Sequence, residues 1–91
     1  MRLDLFLKAS RLCSRRSIAQ KFCDAGLVSL NNKPAKSAHA VKPGDELAIC
    51  TSRRLLVARI EVVPTTGNTP RKEATKLYSV IKDENLAAEQ L

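Results

Sequence analysis

Two short helical stripes at the start of the chain set what it can fold into. Leu3, Phe6, Leu7 and Ser10 fall at i, i+3, i+4 and i+7, and Leu5 and Leu12 widen the stripe. One face of a helix has this spacing, so a helix is predicted over residues 3–10. Asp4 stands in its first turn, where the dipole favours an acid, and Lys8 follows at i+4 for an ion pair. Ile18, Phe22 and Ala25 repeat at i, i+4 and i+7 with Ala19 beside them, and Gly26 reads as a left-handed stop. Arg16, Gln20 and Asp24 lie on the opposite face of this second helix. Helices so short are marginal alone, so the rest of the chain must cover their apolar sides.

The cover is a small sheet. Leu27 to Leu30 is a short strand, and Asn31-Asn32 is a turn pair that tolerates positive φ. Lys33 to Lys36 begins the return, with Pro34 arguing for an edge. Residues 37–40 form a loop, and Val41 to Asp45 turns the chain into an alternating strand, Glu46 to Cys50. Leu55 to Val63 is a longer strand rich in β-branched residues. Pro64 to Pro70 is a linker by composition. Thr69 is a candidate cap, Pro70 suits a first helical position, and Ala74, Leu77, Tyr78 and Ile81 repeat at helical spacing. The expected organisation is therefore a domain over 1–63, a linker over 64–70, a C-terminal helix over 71–83 and a frayed tail over 84–91. The fold class is α+β: two short N-terminal helices on a mainly antiparallel sheet, plus the C-terminal helix.

The turn between the two helices carries the strongest chemical signal. Ser14 has the chemistry of an N-cap, which places Arg15 and Arg16 at the first two helical positions. Cations oppose the dipole there, so losing Arg16 should leave stability unchanged or slightly higher. The same placement suits an anion, and Arg11 reaches it from one turn earlier. Arg2, Lys8, Arg11, Arg15, Arg16 and Lys21 fall within twenty-one residues with Asp4 as the one acid among them. Lys33, Lys36 and Lys42 follow in the hairpin region. Of the net charge of +7, residues 1–60 carry twelve basic and four acidic side chains, whereas residues 61–91 carry four and five. A basic body with a near-neutral tail suits a polyanion.

Other chemistries find little support. His39 stands alone in a small-residue loop, no glycine-rich phosphate loop exists, and Asp45-Glu46 reads as the close of a turn rather than a metal site. No cofactor is expected. Cys13, Cys23 and Cys50 are odd in number and lack ligand spacing, which favours reduced structural thiols. No apolar run approaches the ~20 residues of a spanning helix, and the start resembles no signal peptide, so a cytoplasmic protein with no membrane partner is expected. Phe6, Phe22 and Tyr78 all sit on apolar stripes, so a base-stacking sheet is not expected. Phosphate and shape contacts to folded RNA fit better.

Several motifs taken together resemble the S4-type RNA-binding domain, or alpha-L motif. They are Arg2-Leu3-Asp4-x-Phe6-Leu7, Arg11, Ser14-Arg15, Ala19, Gly26-x-Val28-x-Leu30-Asn31, Lys33 and Val41-x-x-Gly44-Asp45-x-Leu47. Asn32 departs from the family, which usually has glycine there. The whole chain is similar to short stand-alone members, the ribosome-associated quality-control factors first and the fifteen-kilodalton bacterial heat-shock protein next. The resemblance implies a non-enzymatic adaptor on the large ribosomal subunit. It would contact ribosomal RNA and tRNA and support alanine tailing of stalled nascent chains beside a tailing factor, as a monomer. Heat-shock-type subunit recycling, a protein-interaction module built on the third helix, and a DNA-binding helix-turn-helix are the rival readings. RNA contact is expected from Arg2, Lys8, Arg11, Arg15, Arg16, Lys21, Lys33 and Lys36.

Overall fold

The structure is a computed structural model and describes residues 1–85. Its elements are α1 (Leu3–Ala9), α2 (Arg16–Asp24), β1 (Val28–Leu30), β2 (Lys33–Pro34), β3 (Glu46–Cys50), β4 (Arg54–Ile60), α3 (Arg71–Ala74) and β5 (Tyr78–Asn85). The five strands form one sheet in the order β2-β1-β3-β4-β5, with every neighbouring pair antiparallel. The core lies between α1, α2 and this sheet. Leu3, Phe6 and Leu7 are fully buried there, against Ala19, Val28, Leu47 and Ile60 among others.

Helix α1 starts without a side-chain cap, and the chain solves its orphan amides in another way. Leu3 N donates to His39 O at 2.8 Å and Asp4 N to Ser37 O at 3.2 Å. Val41 N donates to Met1 O at 2.9 Å, and Arg2 bridges to Ala40. The 37–41 loop is thereby laid along the N-terminus. Asn31 and Asn32 take φ of 51° and 69° between β1 and β2, as their turn requires, and Gly26 ends α2 at φ 75°. Edge strand β2 contains Pro34. Asp45 is buried and closes its turn, accepting from Lys42 N and from Asn31 Nδ2.

Four readings of the sequence need correction. The C-terminal helix exists but is one turn, Arg71–Ala74. Residues 78–83, expected to continue it, are in β5, which also takes in Glu84 and Asn85 from the supposed tail; residues 86–91 of that tail lie outside the described residues. Beyond its pairing with β3, strand β4 has a second edge, and β5 satisfies it from Arg54 to Ile60. Tyr-Ser-Val-Ile suits a strand, and that demand outweighs the helical spacing. Second, Thr69 does not cap α3; Pro70 occupies the N-cap. Third, Ser14 does not cap α2: Arg15 is the N-cap in an extended conformation, no side chain caps, and Arg16 opens the helix. Fourth, the buried stripe of α2 is Ala19 and Cys23, with Ile18 and Phe22 half-buried beside it and Ala25 exposed.

All three cysteines are free. Burial pushes the Cys13 thiol up to about 11 and raises that of Cys23, so both stay protonated at neutral pH.

Candidate nucleic-acid interface

The expected cations divide into two groups, and a single acid organises the first. Asp4 is in the first turn of α1 and has no exposed surface. Arg2 grips it with both arms, Nε to Oδ1 and a terminal nitrogen to Oδ2, each at 3.2 Å. Arg16 Nε donates to Oδ2 at 3.1 Å and Gln20 Nε2 to the same oxygen at 3.0 Å. Leu5 N donates to Oδ1 at 2.8 Å. Burial alone would raise the Asp4 pKa. The donors from Gln20, Arg16, Arg2 and the Leu5 amide overcome it and hold the carboxyl below its ordinary value.

This arrangement overturns two expectations. Asp4 pairs with Arg2 and Arg16, not with Lys8; and Arg16 and Gln20 turn onto α1 instead of pointing away from it. The physical reason is that a buried carboxylate needs donors more than a helix end needs relief from a cation. The side chains of Arg2 and Arg16 remain 45% and 44% exposed. Each guanidinium has five N–H groups, and Asp4 uses only some of them. Two forks are thus held on one carboxylate with donors left for a ligand, an arrangement suited to phosphate oxygens.

The second group lies at the other end of α1. Lys8 Nζ donates to Asn68 Oδ1 at 3.1 Å, and an Arg11 terminal nitrogen donates to Thr69 O at 3.1 Å. Arg11 adopts φ of 62°, uncommon for a side chain of its size. These bonds draw residues 67–71 across the α1–α2 turn, so the expected linker is docked rather than free. The remaining candidates are spread out and exposed: Arg15 at the α2 N-cap, Lys21 in its last turn, Lys33 on β2, and Lys36 just before the loop that feeds α1. Asp4, Gln20, Asn68 and Arg71 join the candidate site from outside the cations expected to touch RNA. Asp4 did carry a signal, as the one acid among six cations.

Arg16→Ala is expected to weaken folded-RNA binding by about 1–2 kcal/mol and to reduce the slope of log K against log salt by about one. It should also lower stability by about 1 kcal/mol, because Asp4 loses a half-exposed partner. The stability change has the opposite sign to that expected from the dipole alone. Anisotropy titrations across a salt series and urea melts test both; unchanged affinity and slope would remove Arg16 from the interface.

The S4 domain family matches residues 1–47. The chain is 41% identical to the RQC P-site tRNA stabilizing factor of Bacillus subtilis (strain 168) over 86 residues, 94% of this chain and 98% of that protein. It is also 41% identical to the factor of the same name from Halalkalibacterium halodurans, covering 96% and 97% of the two chains. Among solved structures it superposes on trimeric Heat Shock Protein 15 of Vibrio cholerae with a TM-score of 0.80 at 28% identity, covering 88% of this chain and 80% of that one. It matches the solution structure of the hypothetical protein HP1423 with a TM-score of 0.79 at 32% identity, covering 92% and 100%.

Proposed function

The chain belongs to the S4 domain family, and from that premise we propose that it is an RNA-binding adaptor of ribosome-associated quality control, which stabilises tRNA in the P site of the large ribosomal subunit. The observation that carries the reading is the Asp4 cluster. Two arginines fixed on one buried carboxylate form a rigid pair of phosphate-binding forks on the helical pair of the family domain. Such a face holds phosphates in a set arrangement and reads few bases. Lys8, Arg11, Arg15, Lys21, Lys33 and Lys36 extend it around the same helices and the β2 edge.

In this reading the protein acts in the cytoplasm as a monomer and without a catalytic step, touching ribosomal RNA as well as tRNA. By holding the tRNA it supports alanine tailing by a separate factor. The relatives named for P-site tRNA match nearly the whole chain at 41% identity, which favours this role over heat-shock-type recycling.

Co-sedimentation with purified ribosomal subunits tests it. The protein should pellet with large subunits that retain peptidyl-tRNA and much less with empty large subunits or small subunits. In competition at two salt concentrations, a folded RNA should outcompete an unstructured strand of equal length, with strong salt dependence. Equal recovery on all subunits, or equal competition by both RNAs, would reduce the interface to a general basic patch.

A further inference from the structure

The groove between the α1–α2 turn and the 67–71 segment is built differently from the Asp4 cluster. It encloses about 740 Å³ and is lined by Lys8, Arg11, Asn68, Thr69, Arg71 and Tyr78, with small and hydroxyl residues completing it. Three cations line it and no carboxylate does. Arg2 and Arg16 share the charge of Asp4, and Arg54 is paired with Asp83, but among the described residues Lys8 and Arg11 bond only the neutral oxygens of Asn68 and Thr69. Arg71 makes no ion pair among the described residues. Among the described residues, the positive charge of the groove is therefore not neutralised from within.

Three further features suit a ligand that carries both phosphate and a ring. Thr69 lines the groove, and its buried Oγ1 has no hydrogen-bond partner among the described residues, so a ligand that shifts this side chain gains a donor and acceptor. Tyr78 is the one aromatic residue in the lining, and it is half-buried on β5 rather than inside a helical stripe. The volume lies in the range of pockets that take nucleotide-sized ligands, and a duplex is far larger. We propose that this groove binds a single-stranded RNA segment, with Lys8, Arg11 and Arg71 on successive phosphates and one unpaired base against Tyr78. The proposal rests on the RNA-binding reading above for the class of ligand. It adds a site that lies largely in the 67–78 region, outside the residues matched by the family domain.

The test uses the full chain, an adenosine pentaribonucleotide, the same pentamer with an abasic central position, adenosine 5′-monophosphate, and a folded tRNA. In amide-resolved NMR titrations the pentamer should shift Gly67, Asn68, Thr69 and Arg71. Arg71→Glu, at an exposed position outside the core, should weaken pentamer binding at least tenfold, and the abasic pentamer should bind about fivefold more weakly than the intact one. Shifts confined to the surroundings of Arg2 and Arg16, or pentamer affinity unchanged by Arg71→Glu, would overturn the groove assignment. Equal affinity for the abasic pentamer would remove Tyr78 from it, and mononucleotide binding as tight as the pentamer would make it a small-molecule site. The two readings fail separately: salt-sensitive tRNA binding without pentamer shifts at 67–71 sinks the groove alone, whereas pentamer binding in the groove without tRNA binding sinks the adaptor reading.

Discussion

Asp4→Ala should destabilise the domain by about 2–3 kcal/mol and weaken folded-RNA binding in the same protein. Removing one member of a buried ionic cluster costs about 3–5 kcal/mol when the partners stay buried. Here Arg2 and Arg16 are nearly half exposed and can turn to water, which reduces the cost. Loss of the acceptor for the Leu5 amide and for Gln20 restores part of it. Binding falls because the two forks lose their common anchor, although no cation has been removed. A variant that kept its stability but bound RNA less well would show that the acid orients without stabilising. Unchanged values of both would dismiss the cluster.

The pH dependence gives a second view of the same group. The Asp4 pKa is lower in the folded chain than in the unfolded one. The ionised carboxylate therefore contributes full stability above the unfolded value near 3.8, and that contribution fades as pH falls through the depressed folded value. Urea midpoints taken from pH 7 downward should separate wild type from Asp4→Asn at neutral pH; the gap should begin to close below pH 3.8 and vanish only below the depressed folded value. Arg16→Ala should also blunt the effect of Asp4→Asn, because the two residues share one interaction.

The parts of the fold legible in the sequence are those where local preference and tertiary need agree. Gly26 takes the left-handed φ that a helix stop requires, Asn31-Asn32 forms its turn, and Pro34 lies on an edge strand. Residues 78–85 show the opposite case. Ala74, Leu77, Tyr78 and Ile81 have helical spacing, yet only Ala74 is helical, and the second edge of β4 makes Tyr78 and Ile81 more useful in a strand. No window along the chain contains that demand, because it comes from a strand nearly twenty residues earlier.

The site follows the same division. The cations were legible as density, but their grouping was not. Asp4 reads as an ordinary first-turn acid because its five side-chain and amide donors come from four residues, at positions 2, 5, 16 and 20, two of them on the second helix. Arg11 and Thr69 are fifty-eight residues apart, so the groove they frame exists only once the chain has returned over α1. A basic stripe names a class of partner; which cations act together is decided by the carboxylates and carbonyls that hold them.

Phe6→Ala should cost about 3–5 kcal/mol, comparable to the whole stability of many domains of this size, and leave the chain largely unfolded. Phe6 has no exposed surface, is the largest of the fully buried side chains, and shares helix α1 with Leu3, Leu7 and Asp4. The same seven residues thus form the centre of the core and hold the anchor of the candidate interface. Phe22 provides the contrast. It is half-buried at the margin of the core, so Phe22→Ala should cost about half as much and leave a folded protein. Thermal melts of the two variants, with RNA binding measured on whatever remains folded, separate packing from recognition. The Phe22 variant should bind folded RNA as wild type does at a temperature where it is fully folded. Loss of binding with normal melting would make Phe22 a contact residue. A Phe6 variant as stable as wild type would mean that the core does not rest on α1, and with it would go the reason Asp4 can hold two arginines in place.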